Sequence, residues 1–172
     1  MSAAIDLLRD AFGRVHENVH AVLDDSTPDQ LAFRADARSN SPAWLVWHLV
    51  RVQDDHLAPL AGHEQVWTAD GFHGRSGLPF GPDETGYGQE PAEVAALAAV
   101  PAAVLAEYAD AVHRQTLALL DTLGDEDLER VVDEQWDPPV TLGVRLVSVI
   151  DDDTQHIGQA AYAKGLAERS AR

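Results

Sequence analysis

The sequence contains no cysteine. That excludes disulfides, thiolate metal ligands and a cysteine nucleophile. Bases are scarce: 12 Lys and Arg stand against 29 Asp and Glu, for a formal net charge of −17. Nucleic acids and anionic membranes are bound through basic surface, so neither is expected as a partner. Lysine is nearly missing, with Lys164 the sole example, while arginine and alanine are plentiful. That bias resembles a GC-rich bacterial genome. No apolar run reaches the length that spans a bilayer. Met1-Ser2-Ala3-Ala4-Ile5-Asp6 lacks the basic and apolar blocks of a signal peptide. The expectation is a soluble cytoplasmic protein that acts on a small molecule.

What is present suits one globular domain over residues 1–172. The chain is 45% apolar and 24% charged, ordinary for a protein with a sizeable core. Ile5, Leu8, Phe12, Val15, Val19, Val22 and Leu23 recur at helical spacing, which predicts a first helix over 3–24. Ser41-Pro42 starts a second, with Pro59 and Gly62 marking its end. A third is expected over 101–123, stopped at Gly124, and a fourth from Leu142, capped by Thr141, to about Gly165. Residues 61–90 hold seven glycines and two prolines, which rule out long regular structure. Trp67, Phe72, Phe80 and Tyr87 argue that this stretch is ordered, folded over one end of the bundle as a lid. Val131-Val132 is expected to cross in extended form, and no stretch has a convincing strand pattern. Four long helices and one long crossover predict an all-α four-helix bundle.

The run Asp151-Asp152-Asp153-Thr154-Gln155-His156-Ile157-Gly158-Gln159 interrupts the apolar pattern of the last helix. Asp152 and His156 are four apart and share a helix face. Two ligands at this spacing let one helix grip a metal. His48, in the most apolar part of the second helix, is the best third ligand. Nitrogen, carboxylate and nitrogen suit zinc, nickel, iron(II) or manganese. From spacing alone other readings stay open: a hydrogen-bonded structural pair, a solvated acidic face, or Asp153 in the place of Asp152. Arg51 and Asp55 share the stripe of His48; they either orient a ligand or form an ion pair. Gln159 is placed to close the site. His16 and His20 also have ligand spacing.

Trp44-Leu45-Val46-Trp47-His48-Leu49, followed by Asp152-x-x-x-His156-x-Gly158-Gln159, resembles the DinB/YfiT-like superfamily. The resemblance spans nearly the whole chain, and is closest to the actinobacterial branch that neighbours mycothiol-dependent maleylpyruvate isomerases and mycothiol transferases. It implies a four-helix bundle with a three-residue metal site, here His48, Asp152 and His156. Many members have histidine where Asp152 stands; the mycothiol-dependent isomerases place a glutamate there. Members do not normally ligate from the first helix, so His16 is expected at most to line the pocket. The activity implied is a metal-dependent transferase using a low-molecular-weight thiol such as mycothiol; the residues themselves offer Asp55, Arg51 and Gln159 as polar helpers at the site, with Asp55 or Asp153 as the base if the reaction is hydrolysis. A metal-dependent hydrolase at the same site and a non-catalytic ligand-binding bundle are the alternatives. A homodimer is plausible for such bundles.

Overall fold

Ser2 opens the first helix by accepting a hydrogen bond from the Ile5 amide at 3.3 Å, one of the N-terminal amides that a helix leaves unsatisfied. This helix, α1, runs over Ala3–Leu23 and buries Ile5, Phe12, Val15, Val19, Val22 and Leu23. The structure is a computed structural model that describes residues 2–170. A short α2 (Pro28–Ala32) is closed by a reciprocal Thr27–Gln30 capping box. It leads into α3 (Pro42–Ala61), where Ser41 accepts from the Trp44 amide and Pro42 fills the first position. Gly62 ends α3 in the left-handed conformation, φ 75°, which costs glycine little. Pro59 lies inside α3, in its last turn.

Two further long helices complete the bundle. The crossover contributes α4 (Val66–Ala69) and α5 (Phe72–Ser76), then α6 (Pro91–Ala96) precedes α7 (Ala102–Leu120). The last helix, α8, runs over Leu142–Ser170. α3 packs on α8 and α7, and α1 packs on those same two. Around the bundle the order is therefore α3, α8, α1, α7, with α1 and α3 on a diagonal. Among the described residues no single helix is long and apolar enough to cross a membrane.

Three boundaries differ from expectation. α8 continues past Gly165 to Ser170. A helical glycine costs only about 1 kcal/mol. Burial of Ala163 and Ala167 opposes that cost. So do bonds from the Lys164 ammonium to the carbonyls of Ala21, Val22 and Asp24 (3.0, 3.1 and 3.2 Å), which satisfy the open end of α1. α7 stops at Leu120, ahead of Gly124, where the Thr122 hydroxyl donates to the Leu119 carbonyl. The extended stretch is a strand after all: β1 (Val131–Asp133) pairs antiparallel with β2 (Val140–Thr141). Strands this short show no readable alternation. Arg145 of α8 ties the ribbon down through Asp133 at 2.9 Å.

The crossover does fold over the bundle, but it is bonded in place and not poised as a loose lid. Asp54 of α3 accepts from the first amides of α4, Val66 at 3.0 Å and Trp67 at 2.9 Å, and from the Tyr108 hydroxyl at 2.8 Å. Arg51, fully buried, donates to the carbonyls of Glu84 and Pro82 at 3.1 and 3.2 Å and to the Gln65 side chain at 2.7 Å. Trp67 packs between Trp47 and Tyr108. A segment with so many glycines holds one shape because two buried charges on α3 satisfy its backbone.

Candidate metal centre

Successive helix residues turn by about 100°, so the three aspartates of α8 face three ways. Asp151 is exposed and accepts from Gln155 at 2.8 Å. Asp153 is fully buried, on the stripe with Val149 and Ile157. Asp152 lies between them, toward α3, and His156 follows one turn later on the same face. Across the interface His48 is fixed by stacking of Trp44 on its ring, centroids 4.6 Å apart. The His48 and His156 rings meet edge to face at 4.7 Å. One donor atom from each of His48, Asp152 and His156 falls within 4.8 Å of the others.

The donor set fits a cation. The Nδ1–H of His48 donates to the Thr85 carbonyl, which leaves Nε2 bare. His156 places Nδ1 3.4 Å from the Gln159 amide oxygen and Nε2 3.5 Å from Asp152 Oδ1. With metal bonds of 2.0–2.1 Å, tetrahedral ligand atoms lie about 3.3 Å apart. A histidine whose outer nitrogen is engaged and whose inner nitrogen is free is the usual arrangement of a metal ligand. Asp152 Oδ2 is buried with no hydrogen-bond partner, an orphan that a cation would satisfy. Their proximity also shows in their acidities. The hydrogen bond between them holds Asp152 below the usual carboxylate range and His156 above the usual imidazole range. Burial pushes His48 down, and the nearby charge of His156 adds to this. His48 is thereby kept neutral, the form that ligates.

The loop reaches the centre through Gly86. Its φ is 100°, and a Cβ there would lie 2.9 Å from His48 Nδ1, 2.9 Å from the Trp44 ring and 3.0 Å from the Trp47 ring. Rigid rings cannot yield, so Gly86→Ala must displace the segment that carries the Thr85 carbonyl. We expect a loss of about 1–3 kcal/mol in stability and a weaker hold on zinc, read by denaturant titration and by competition with a chromophoric chelator. Unchanged zinc affinity would show that Thr85 does not orient His48.

Asp153 is excluded from the triad by its direction. Neither of its carboxylate oxygens has a partner, and burial, with Asp152 adding to it, pushes its carboxyl well above the usual range. An isolated buried polar group costs about 1–3 kcal/mol. Asp153→Val should therefore raise the unfolding free energy at neutral pH by about that amount, measured by urea denaturation. A less stable variant would mean that Asp153 has a partner when the centre is loaded.

Of the other expected site residues, Arg51 and Asp55 are engaged elsewhere. Arg51 has no exposed surface and is committed to the crossover, with Asp54 3.7 Å from it; it anchors the loop. Asp55 is two turns from His48, about 10 Å along the helix, and accepts from Gln65 at 2.8 Å. Gln159 does stand beside His156. Two partnerships escaped the sequence reading. His56 accepts from Arg145 at 3.2 Å. His16 and His20 of α1 both meet Asp110 of α7, and neither lines the α3–α8 centre. Their spacing signalled a pair, but nothing in the sequence pointed to Asp110.

A helical bundle carrying a His/Asp/His triad across two facing helices defines a class of candidate metal-binding proteins. Residues 11–160 match the family model of the DinB superfamily, and the chain belongs to that superfamily. It is similar to a crystal structure of a conserved protein from Enterococcus faecalis, with 32% identity and a TM-score of 0.87 over 97% of this chain and 98% of that one. None of the curated proteins matches the chain.

Proposed function

We propose that the protein is a divalent-metal-dependent transferase that activates a low-molecular-weight thiol of the mycothiol type at His48, Asp152 and His156. Zinc is the metal favoured, with nickel, iron(II) and manganese as the other candidates. The observation that carries the reading is the convergence of three donors, with the Asp152 oxygen buried and unbonded. The choice of thiol is supported by the resemblance of the Trp44–Leu49 and Asp152–Gln159 motifs to the branch that neighbours mycothiol-dependent enzymes.

A free thiol has a pKa of about 8.5 and reacts as its thiolate. A cation held here would favour thiolate at neutral pH. The chain's own residues do the rest. Thr85 holds His48 in the tautomer that turns Nε2 inward. Asp152 adds a negative charge to the donor set, where a third histidine would add none. Gln159 orients His156. Trp44 and the segment up to Gly86 wall off the His48 side. In the transfer, the thiol proton passes to solvent, sulfur forms a bond to the electrophilic carbon, and the leaving group departs with its bonding electron pair.

The test uses tag-free protein reconstituted with zinc and a chloronitrobenzene as electrophile, with mycothiol, glutathione or no thiol. Thioether formation that needs both zinc and mycothiol, and disappears in His156→Ala, supports the reading. Zinc-dependent ester or amide cleavage without thiol would replace it with a hydrolase. No turnover in either assay would leave a non-catalytic binding protein.

A further inference from the structure

His16 and His20, one turn apart on α1, direct their Nε2 atoms at the same oxygen of Asp110 on α7, at 2.7 and 2.8 Å. The two rings lie edge to face, centroids 4.8 Å apart. One donor atom from each of the three residues falls within 4.8 Å of the others. Behind His20, Asp24 Oδ1 stands 3.7 Å from Nδ1, on the side where a ligating histidine usually meets a carboxylate. His113, three residues after Asp110, stacks flat on His16 at 4.2 Å and 9°, and its Nδ1 is buried without a partner. Three imidazoles and two carboxylates thus crowd one short stretch of the α1–α7 seam.

We propose that His16, His20 and Asp110 form a second divalent-cation site, independent of the centre between α3 and α8. The two lie on opposite edges of the bundle, because α1 and α7 pair on the side away from α3 and α8. They share no ligand. Two nitrogens and one carboxylate select zinc, nickel, copper or cobalt over calcium or magnesium, which take oxygen. The present spacings are shorter than the about 3.3 Å between tetrahedral ligand atoms, so the groups must part by about half an ångström, a small rotation of side chains that are 25%, 30% and 40% exposed. That exposure also gives an ion direct access from solvent. Burial tends to raise the Asp110 carboxyl, but the bonds from His20 and His16 outweigh it and hold it low, so it is ionised when an ion arrives. Burial, and then the neighbouring His16, push His113 down to about 4. It adds no positive charge at neutral pH. An ion here would clamp α1 to α7 and bind the folded chain alone, so its binding is also a stabilising contact between two helices.

The test isolates this site from the first. Tag-free His156→Ala protein, stripped with a chelator, is titrated with zinc chloride and followed by isothermal calorimetry, with thermal melting at each zinc level. One equivalent is expected to bind, with Tm rising as zinc is added. In His156→Ala/Asp110→Asn and His156→Ala/His20→Gln that equivalent and the Tm response are expected to vanish, with the far-UV circular dichroism unchanged. No binding in His156→Ala, or an equivalent that persists in both double variants, overturns the proposal. Cobalt in place of zinc gives a second reading: visible absorption of a tetrahedral complex in His156→Ala and none in the double variants. Failure here leaves the His48/Asp152/His156 centre untouched, because that centre is read separately in Asp110→Asn.

Discussion

His48→Ala, made in the Asp110→Asn background so that one site is read, is expected to lose zinc affinity by more than about 100-fold. Partners outside the ligand shell already cost about 10- to 100-fold when removed, and His48 is one of three groups in the shell itself. The loss has a specific cause. His156 and Asp152 come from one helix, so without His48 nothing holds the ion against α3. Competition with a chromophoric chelator measures it. Because His48 is buried, its removal also frees the Thr85 carbonyl at some cost in stability; circular dichroism separates unfolding from weakened binding. Affinity at this centre also depends on pH, with a sign that can be worked out. Asp152 raises the His156 pKa above the ordinary imidazole value, and a ligating imidazole must give up its proton. As pH falls below that raised value, a proton competes with the metal and apparent affinity drops about tenfold per unit. A flat pH profile between 5 and 8 (about the imidazole range) would argue that His156 is not a ligand.

Arg51→Ala is expected to cost about 3–5 kcal/mol, because it breaks a buried pair by removing the cation beside Asp54, whose carboxyl burial already pushes up. Arg51 is 0% exposed and Asp54 2%, so water cannot step in for the guanidinium. The carbonyls of Pro82 and Glu84 lose their donor in the same change. For a chain of this size each kcal/mol moves Tm by about 2–4 °C, so a fall of about 6–20 °C should be seen. Arg51→Lys keeps a charge but not the planar fork that reaches several acceptors at once, and should fall between. Thr85 follows directly on Glu84, so zinc affinity is expected to weaken in Arg51→Ala as well. Equal stability of Arg51→Ala and wild type would show that the crossover is held by its aromatics alone.

The long helices were legible because each carries a buried apolar stripe wide enough to show at helical spacing, and because Ser41, Thr141 and Gly62 mark ends with chemistry that works locally. The ribbon of β1 and β2 was not, since two or three residues are too few to show a period. The end of α8 is not legible locally, because Lys164 reaches the carbonyls of α1, a contact that no local rule near Gly165 contains. Arg51 and Asp55 share the helix stripe of His48. Position on a stripe does not say which neighbour meets it, and Arg51 met the backbone of the crossover.

The acid run on α8 marks the division. The sequence alone determined that three successive aspartates on a helix must point three ways, and that one of them shares a face with His156. It also determined that His16 and His20 form a pair, and that the chain carries a deficit of basic charge. Tertiary structure decided which aspartate faces α3 and which enters the core. It brought His48 to Asp152 and His156 across 104 residues of sequence, a separation read from their numbers, and brought Asp110 to His16 and His20. Spacing within a helix follows from 3.6 residues per turn, so it can be read from a string of letters. Which two helices face each other depends on how all the apolar stripes pair at once, and that pairing puts a third ligand beside the two a helix already offers.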